Sequence, residues 1–122
     1  MCGIMGFAGE NQATNVLIDG LRRLEYRGYD SSGIAVKEND IVVIKEKGRI
    51  SNLQKAVDKI NPQSTIGIGH TRWATHGIPD RTNAHPHKSM NGIVTLVHNG
   101  IIENYMEIKN ELINKGYVFN SQ

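Results

Sequence analysis

The sequence predicts an α+β fold, and three observations carry that prediction. Short β-branched or glycine-interrupted apolar runs of strand length stand at 3–8, 34–36, 41–44, 65–69 and 93–97. Between them, apolar residues recur every three or four positions, the spacing that lines one face of a helix. The strands also come partly in pairs with helices between, so helices are expected to cover sheet faces.

Each element has its own signal. Gly3 to Ala8, within MCGIMGFAG, reads as a buried strand whose glycines let other backbone approach closely. Val16, Leu17, Leu21 and Leu24 mark the first helix, with Arg22 and Arg23 in a last turn that favours cations. RGYDSSG, residues 27–33, is a glycine-rich loop. Ile34–Val36 and Ile41–Ile44 flank Glu38-Asn39-Asp40 and read as a hairpin. Ser51 and Gln54 resemble a capping box for a second helix lined by Leu53, Ala56, Val57 and Ile60 and stopped by Asn61-Pro62.

Thr65 to Gly69 is another glycine-interrupted strand, running into HTRWATHG at 70–77. A polar loop spans 77–92, and Ile93 to Val97 forms a strand ending in His98-Asn99-Gly100. Asn104 and Glu107 are placed to cap a last helix lined by Tyr105, Ile108 and Leu112, with Gly116 past its end. GYVFNSQ then reads as the start of a strand, as though the sequence stops partway through a fold.

Composition narrows the function classes. The 122 residues fit one domain, with 39% hydrophobic and 21% charged. A net charge of +2, its cations dispersed, gives no electrostatic footprint for nucleic acid. One cysteine cannot form an internal disulfide, which suits a reducing compartment. Neither a membrane-length apolar run nor a signal peptide is visible, so a cytoplasmic location without membrane partners is expected.

Three segments carry residues suited to chemistry. Cys2 gains a free α-amine if Met1 is trimmed. An α-amine titrates near neutral pH and a thiol somewhat above it, so the amine can take the thiol's proton and the nucleophile carries its own base. Read blandly, a cysteine at position 2 is incidental. Arg72, ending a strand, offers a bidentate partner for a carboxylate, with Thr75 and His76 as neutral donors; the bland reading is a surface arginine beside a core Trp73. His98-Asn99-Gly100 reads as a hairpin turn or as an oxyanion hole, in which the Asn99 amide and the Gly100 N–H meet a developing negative oxygen. His70, His76, His85 and His87 raise a metal alternative. Without HExxH or paired-cysteine spacing that signal is weak, and neither metal nor cofactor is expected.

Together, CGI at the start, LRRLEYRGYDSSGIAV, GHTRWATHG, NAHPH and VHNGIIENY closely resemble the glutaminase domain of glutamine–fructose-6-phosphate aminotransferases, over the whole chain. Amidophosphoribosyltransferases, also class II glutamine amidotransferases, carry Tyr-Ser where this chain has Trp73-Ala74 and NAQP in place of Asn83-Ala84-His85-Pro86. Asparagine synthetases share little beyond Cys-Gly-Ile. The resemblance implies a partial four-layer α/β/β/α sandwich of the N-terminal nucleophile hydrolase type. It implies that Cys2 attacks the side-chain amide of L-glutamine, that Asn99 and Gly100 form the oxyanion hole, and that Arg72 grips the substrate carboxylate. Trp73, Thr75 and His76 stand beside it, Arg27 and Gly28 lie near the nucleophile, and residues 73–81 form a closing loop.

In that family Ser-x-Thr-Asp-Thr-Glu follows the strand at which this sequence stops, and its aspartate binds the substrate's α-amine. Residues 1–122 are therefore expected to be the N-terminal portion of a glutaminase domain. The fructose 6-phosphate domains would lie outside it, and the parent would be a homo-oligomer. The alternatives are a non-catalytic glutamine- or partner-binding module and another class II amidotransferase. Alone, such a piece would expose a sheet edge and an apolar face and turn over glutamine poorly.

Overall fold

A computed structural model describes residues 2–27, 30–73 and 81–120. Four strands form one antiparallel sheet: β1 (Gly3–Ala8), β2 (Ser31–Lys37), β3 (Ile41–Lys47) and β4 (Ile66–Arg72), in the order β1-β4-β2-β3. The register pairs Gly3 with Thr71, Ile34 with Gly69 and Ile34 with Ile44. Strand alternation therefore puts Met5, Phe7, Gly67, Gly69, Ile34, Val36, Val42 and Ile44 on one face. It puts Gly33, His70 and Arg72 on the other.

Helices α1 (Ala13–Leu24) and α2 (Ile50–Ile60) cover the first face. Leu17, Leu21, Ile34, Ile50 and Leu53 are at most 1% exposed and form the centre of the core. Each such side chain removed from water contributes about 1.5–3 kcal/mol. The expected faces are buried except at the end of α2, where Ile60 is 56% exposed and Ile50 at the start of the helix takes its place in the core. Arg22 and Arg23 do occupy the last turn of α1, and Asn61 ends α2 in the left-handed region, φ 48°.

The caps are not the expected ones. Ser51 lies inside the first turn of α2, and the N-cap position, Arg49, makes no side-chain cap bond. Instead the Ile50 N–H donates to the Glu25 carboxylate at 2.9 Å, from a single 3-10 turn at Glu25–Arg27. At α1 the Ala13 N–H donates to the Ser64 carbonyl at 2.8 Å. Both helix starts are satisfied by residues distant in sequence, because burial leaves any backbone donor costly until it is paired.

On the second face lies a smaller layer. Residues 81–88 cross the sheet, and β5 (His87–Lys88) pairs with β6 (Thr95–Leu96). The crossing is close: a Cβ on Gly33 would stand 2.2 Å from the His85 carbonyl oxygen, so only glycine fits there. Helix α3 (Tyr105–Asn114) follows, with no buried residue.

Four expectations need correction. Ser31–Gly33, expected in a glycine-rich loop, are strand residues of β2, held in register by β4. β1 is an edge strand with one covered face, and Gly6 faces open space rather than backbone. The 93–97 run is extended in sequence, but only Thr95–Leu96 pairs, since its partner strand is two residues long. Residues 117–120 form no strand, having no described neighbour to pair with. No helix among the described residues is long and apolar enough to cross a membrane.

Candidate active site

The β1–β4 ladder ends where the chemistry begins. The Gly3 N–H donates to Thr71 Oγ1 at 3.2 Å, fixing the entry to β1 beside the exit of β4. Cys2 then lies against Trp73: the Trp73 N–H donates to Cys2 Sγ at 3.4 Å, and the thiol faces the Trp73 carbonyl at 3.7 Å. The sulfur is thus placed by backbone across 71 residues of sequence. The Trp73 ring is 53% exposed, which corrects the reading of it as core; its backbone is what meets Cys2.

Asn99 comes to the same place from the end of the second layer. Its Nδ2 donates to the Cys2 carbonyl oxygen at 3.3 Å. Its Oδ1 lies 2.7 Å from Nε2 of His70. Gly100 adopts φ 145°, a region that favours glycine, with the His98 ring beside it. Arg72, only 6% exposed, ends β4 on this same face, and its carbonyl accepts from the Asp30 N–H at 3.0 Å.

Arg72, Gly100, His85 and His87 line a cleft of about 590 Å³ whose far wall is Tyr105, Ile108 and Phe119. His85 and His87 line it, and behind them His70 is buried against His85. The His70 and His85 ring centroids lie 4.3 Å apart at 28°, and His85 and His87 lie 4.4 Å apart at 57°. Burial, helped by the neighbouring His70, His87, Arg72 and Lys45, pushes His85 down to about 3. Burial with Lys45, Arg72 and His70 pushes His87 down to about 4. Both rings are neutral at physiological pH. Among the described residues no three His, Cys, Asp or Glu side chains could hold a metal ion together.

Gly28, Thr75 and His76 lie outside the described residues, as does most of the expected 73–81 loop. Arg27 enters only as the end of the 3-10 turn. The far end of that loop is anchored, since Arg81 pairs with Glu46 of β3 at 2.6 Å. Sequence reasoning gave His70 no role beside Asn99. Period-two alternation did hold the signal, because it puts His70 and Arg72 on one face of β4.

The profile of the glutamine amidotransferase domain family matches residues 57–122. The chain belongs to that family. It is 57% identical over 123 residues to the isomerizing glutamine–fructose-6-phosphate aminotransferase of Caldanaerobacter subterraneus subsp. tengcongensis, covering 100% of this chain and 20% of that relative. The corresponding protein of Thermus thermophilus is 55% identical with the same coverage. That of Shouchella clausii is 60% identical over 114 residues, 93% of this chain and 19% of the relative. The chain thus spans about a fifth of the length of the curated relatives it matches.

Among solved structures, the Bacillus subtilis glutamine phosphoribosylpyrophosphate amidotransferase complexed with ADP and GMP superposes with TM-score 0.78 at 28% identity. It covers 98% of this chain and 26% of that one. The allosteric regulatory enzyme of purine biosynthesis superposes with TM-score 0.83 at 27% identity, covering 99% and 27%. The amidotransferase domain described here therefore has the α+β fold of the N-terminal nucleophile hydrolases. Its described elements are the helix layer α1/α2, the four-stranded sheet, the β5-β6 pair and α3.

Proposed function

We propose that residues 1–122 are the N-terminal portion of the glutaminase domain of an isomerizing glutamine–fructose-6-phosphate aminotransferase. The domain hydrolyses L-glutamine to glutamate and ammonia. The observation that carries this reading is the meeting of Cys2, the Trp73 backbone and the Asn99 amide at one point, from segments up to 97 residues apart.

Loss of Met1 bares the Cys2 α-amine, which takes the thiol proton as Sγ attacks the side-chain carbonyl carbon of glutamine. The carbonyl oxygen gains negative charge, which the Asn99 amide and the Gly100 N–H stabilise. Collapse breaks the C–N bond, and the ammonium proton on the amine passes to departing ammonia. Water then cleaves the γ-glutamyl thioester to glutamate and regenerates the thiol. Arg72 pairs with the substrate carboxylate, its fork matching the two oxygens; Trp73, Thr75, His76, Arg27 and Gly28 complete the pocket.

Ammonia is used to make glucosamine 6-phosphate from fructose 6-phosphate, bound by domains outside this chain in a cytoplasmic homo-oligomer. The choice of this acceptor over a phosphoribosyl one rests on identity: 55–60% to the sugar-phosphate enzymes against 27–28% to the amidophosphoribosyltransferase structures.

The test is Cys2→Ala in the full-length enzyme, with intact mass read on the parent. Glutamine hydrolysis should vanish, and the parent should lack Met1. Hydrolysis surviving in the variant, or full activity with Met1 retained, overturns the terminal-nucleophile reading.

A further inference from the structure

His70 is fully buried in the middle of the sheet, yet its only described polar partner is Asn99. In the ladder it lies opposite Ile4 of β1 and Gly33 of β2, and its ring stacks on His85. Strands on both sides and an aromatic layer below therefore fix the ring's position. The Asn99 Oδ1 it meets at 2.7 Å can only accept, so Nε2 carries the proton and donates. Nδ1 is buried with no partner among the described residues. A second proton there would find no acceptor, and burial, the largest influence on this ring, holds it below the ordinary histidine value.

We infer that His70 is a positioning residue for the oxyanion hole: its Nε2–H holds Asn99 Oδ1 and thereby turns Nδ2 toward Cys2. The inference rests on the proposed role of Asn99. A side-chain amide is nearly symmetric in shape, and a flipped Asn99 would present oxygen to a developing oxyanion, turning attraction into repulsion. Asn99 itself stands on an exposed segment just past β6, where little else fixes it. A neutral donor built into the rigid sheet settles the orientation before substrate arrives, and such preorganisation is what makes an oxyanion hole effective.

The experiment compares His70→Asn with His70→Gln in the full-length enzyme. The Asn amide ends near the level of the imidazole Nδ1 and falls short of Asn99, whereas the Gln amide reaches the Nε2 position. His70→Asn should lower kcat about tenfold with the glutamine KM within about twofold, and His70→Gln should recover most of the loss. Alkylation of Cys2 by iodoacetamide, which develops no oxyanion, should proceed at the parent rate in both, showing that the site is folded. His70→Asn combined with Asn99→Ala should be no slower than Asn99→Ala alone. Equal kcat in the two His70 variants, or additive losses in the double variant, overturns the inference. Neither outcome touches the glutaminase reading, which stands or falls on Cys2→Ala.

Discussion

The two faces of the four-stranded sheet are built from opposite materials. Under α1 and α2 lie Leu17, Leu21, Ile34 and Leu53, dry and interlocked. Across the same strands lie polar residues, His70 stacked on His85, with Arg72, His85 and His87 lining the cleft that also takes in Gly100. One backbone thus serves as a stability device on one side and a positioning device on the other, because alternation sends neighbouring residues of a strand to opposite faces. Beyond the histidines the contrast continues. Ile93, Ile101 and Val118 of the second layer are 71%, 72% and 68% exposed, so this layer draws little stability from burial within the described residues.

Variants on the two faces should therefore fail in different ways. The largest effect is expected from Asn99→Ala, which should lower kcat for glutamine hydrolysis about 10²–10³-fold, with a stability cost limited to about 1–3 kcal/mol for leaving the buried His70 Nε2–H unpaired. A stability loss well beyond that would merge the two faces into one. Next is Leu17→Ala, where a cavity in the helix-covered core should cost about 2–5 kcal/mol of unfolding free energy while the KM of the folded fraction stays near that of the parent. Gly33→Ala lies on the polar face but disturbs packing as well. Its Cβ would collide with the His85 carbonyl, so a cost of about 1–3 kcal/mol should come with lowered kcat, as the imidazole stack shifts from His70. Unchanged activity would mean that the stack does not support the site.

The last effect concerns acid. His85 and His87 hold values of about 3 and about 4 in the fold, below the ordinary 6.5 that an unfolded chain shows. As pH falls through 6.5 the unfolded chain therefore takes protons that the folded one refuses. The stability of this face is fully present above about 6.5 and declines toward 4, with a slope of at most about 1.4 kcal/mol per pH unit for each ring. Urea midpoints of parent and His85→Gln between pH 7 and 5 should converge on acidification. Parallel curves would remove the histidines from the acid response.

Much of the dry face was legible and little of the polar one. The apolar stripes of α1 and α2 and the hairpin around Glu38-Asn39-Asp40 follow from periodicity and turn composition, both local signals. The cap of α2 was not legible, because Glu25 supplies it from 25 residues away while Ser51 and Gln54 offered a plausible local substitute. β1 read as buried because glycine-rich apolar runs look alike in the centre and at the edge of a sheet. In the site, Cys2, Arg72 and Asn99 stood out by residue type and motif. His70 did not, because nothing in GHTRWATHG says which strand neighbours it or which side chain its ring will meet.

The sequence by itself determined which stretches become helices, which face of each helix is apolar, and which side chains could act as nucleophile, base and donor. Those properties live in residue chemistry and in spacings of two to four positions. Only the tertiary structure decided that residues 2, 73 and 99 share one point and that a histidine from the middle of a strand aims the amide among them. Such meetings depend on strand register and layer order, which are fixed by the packing of the whole chain and by no short segment of it.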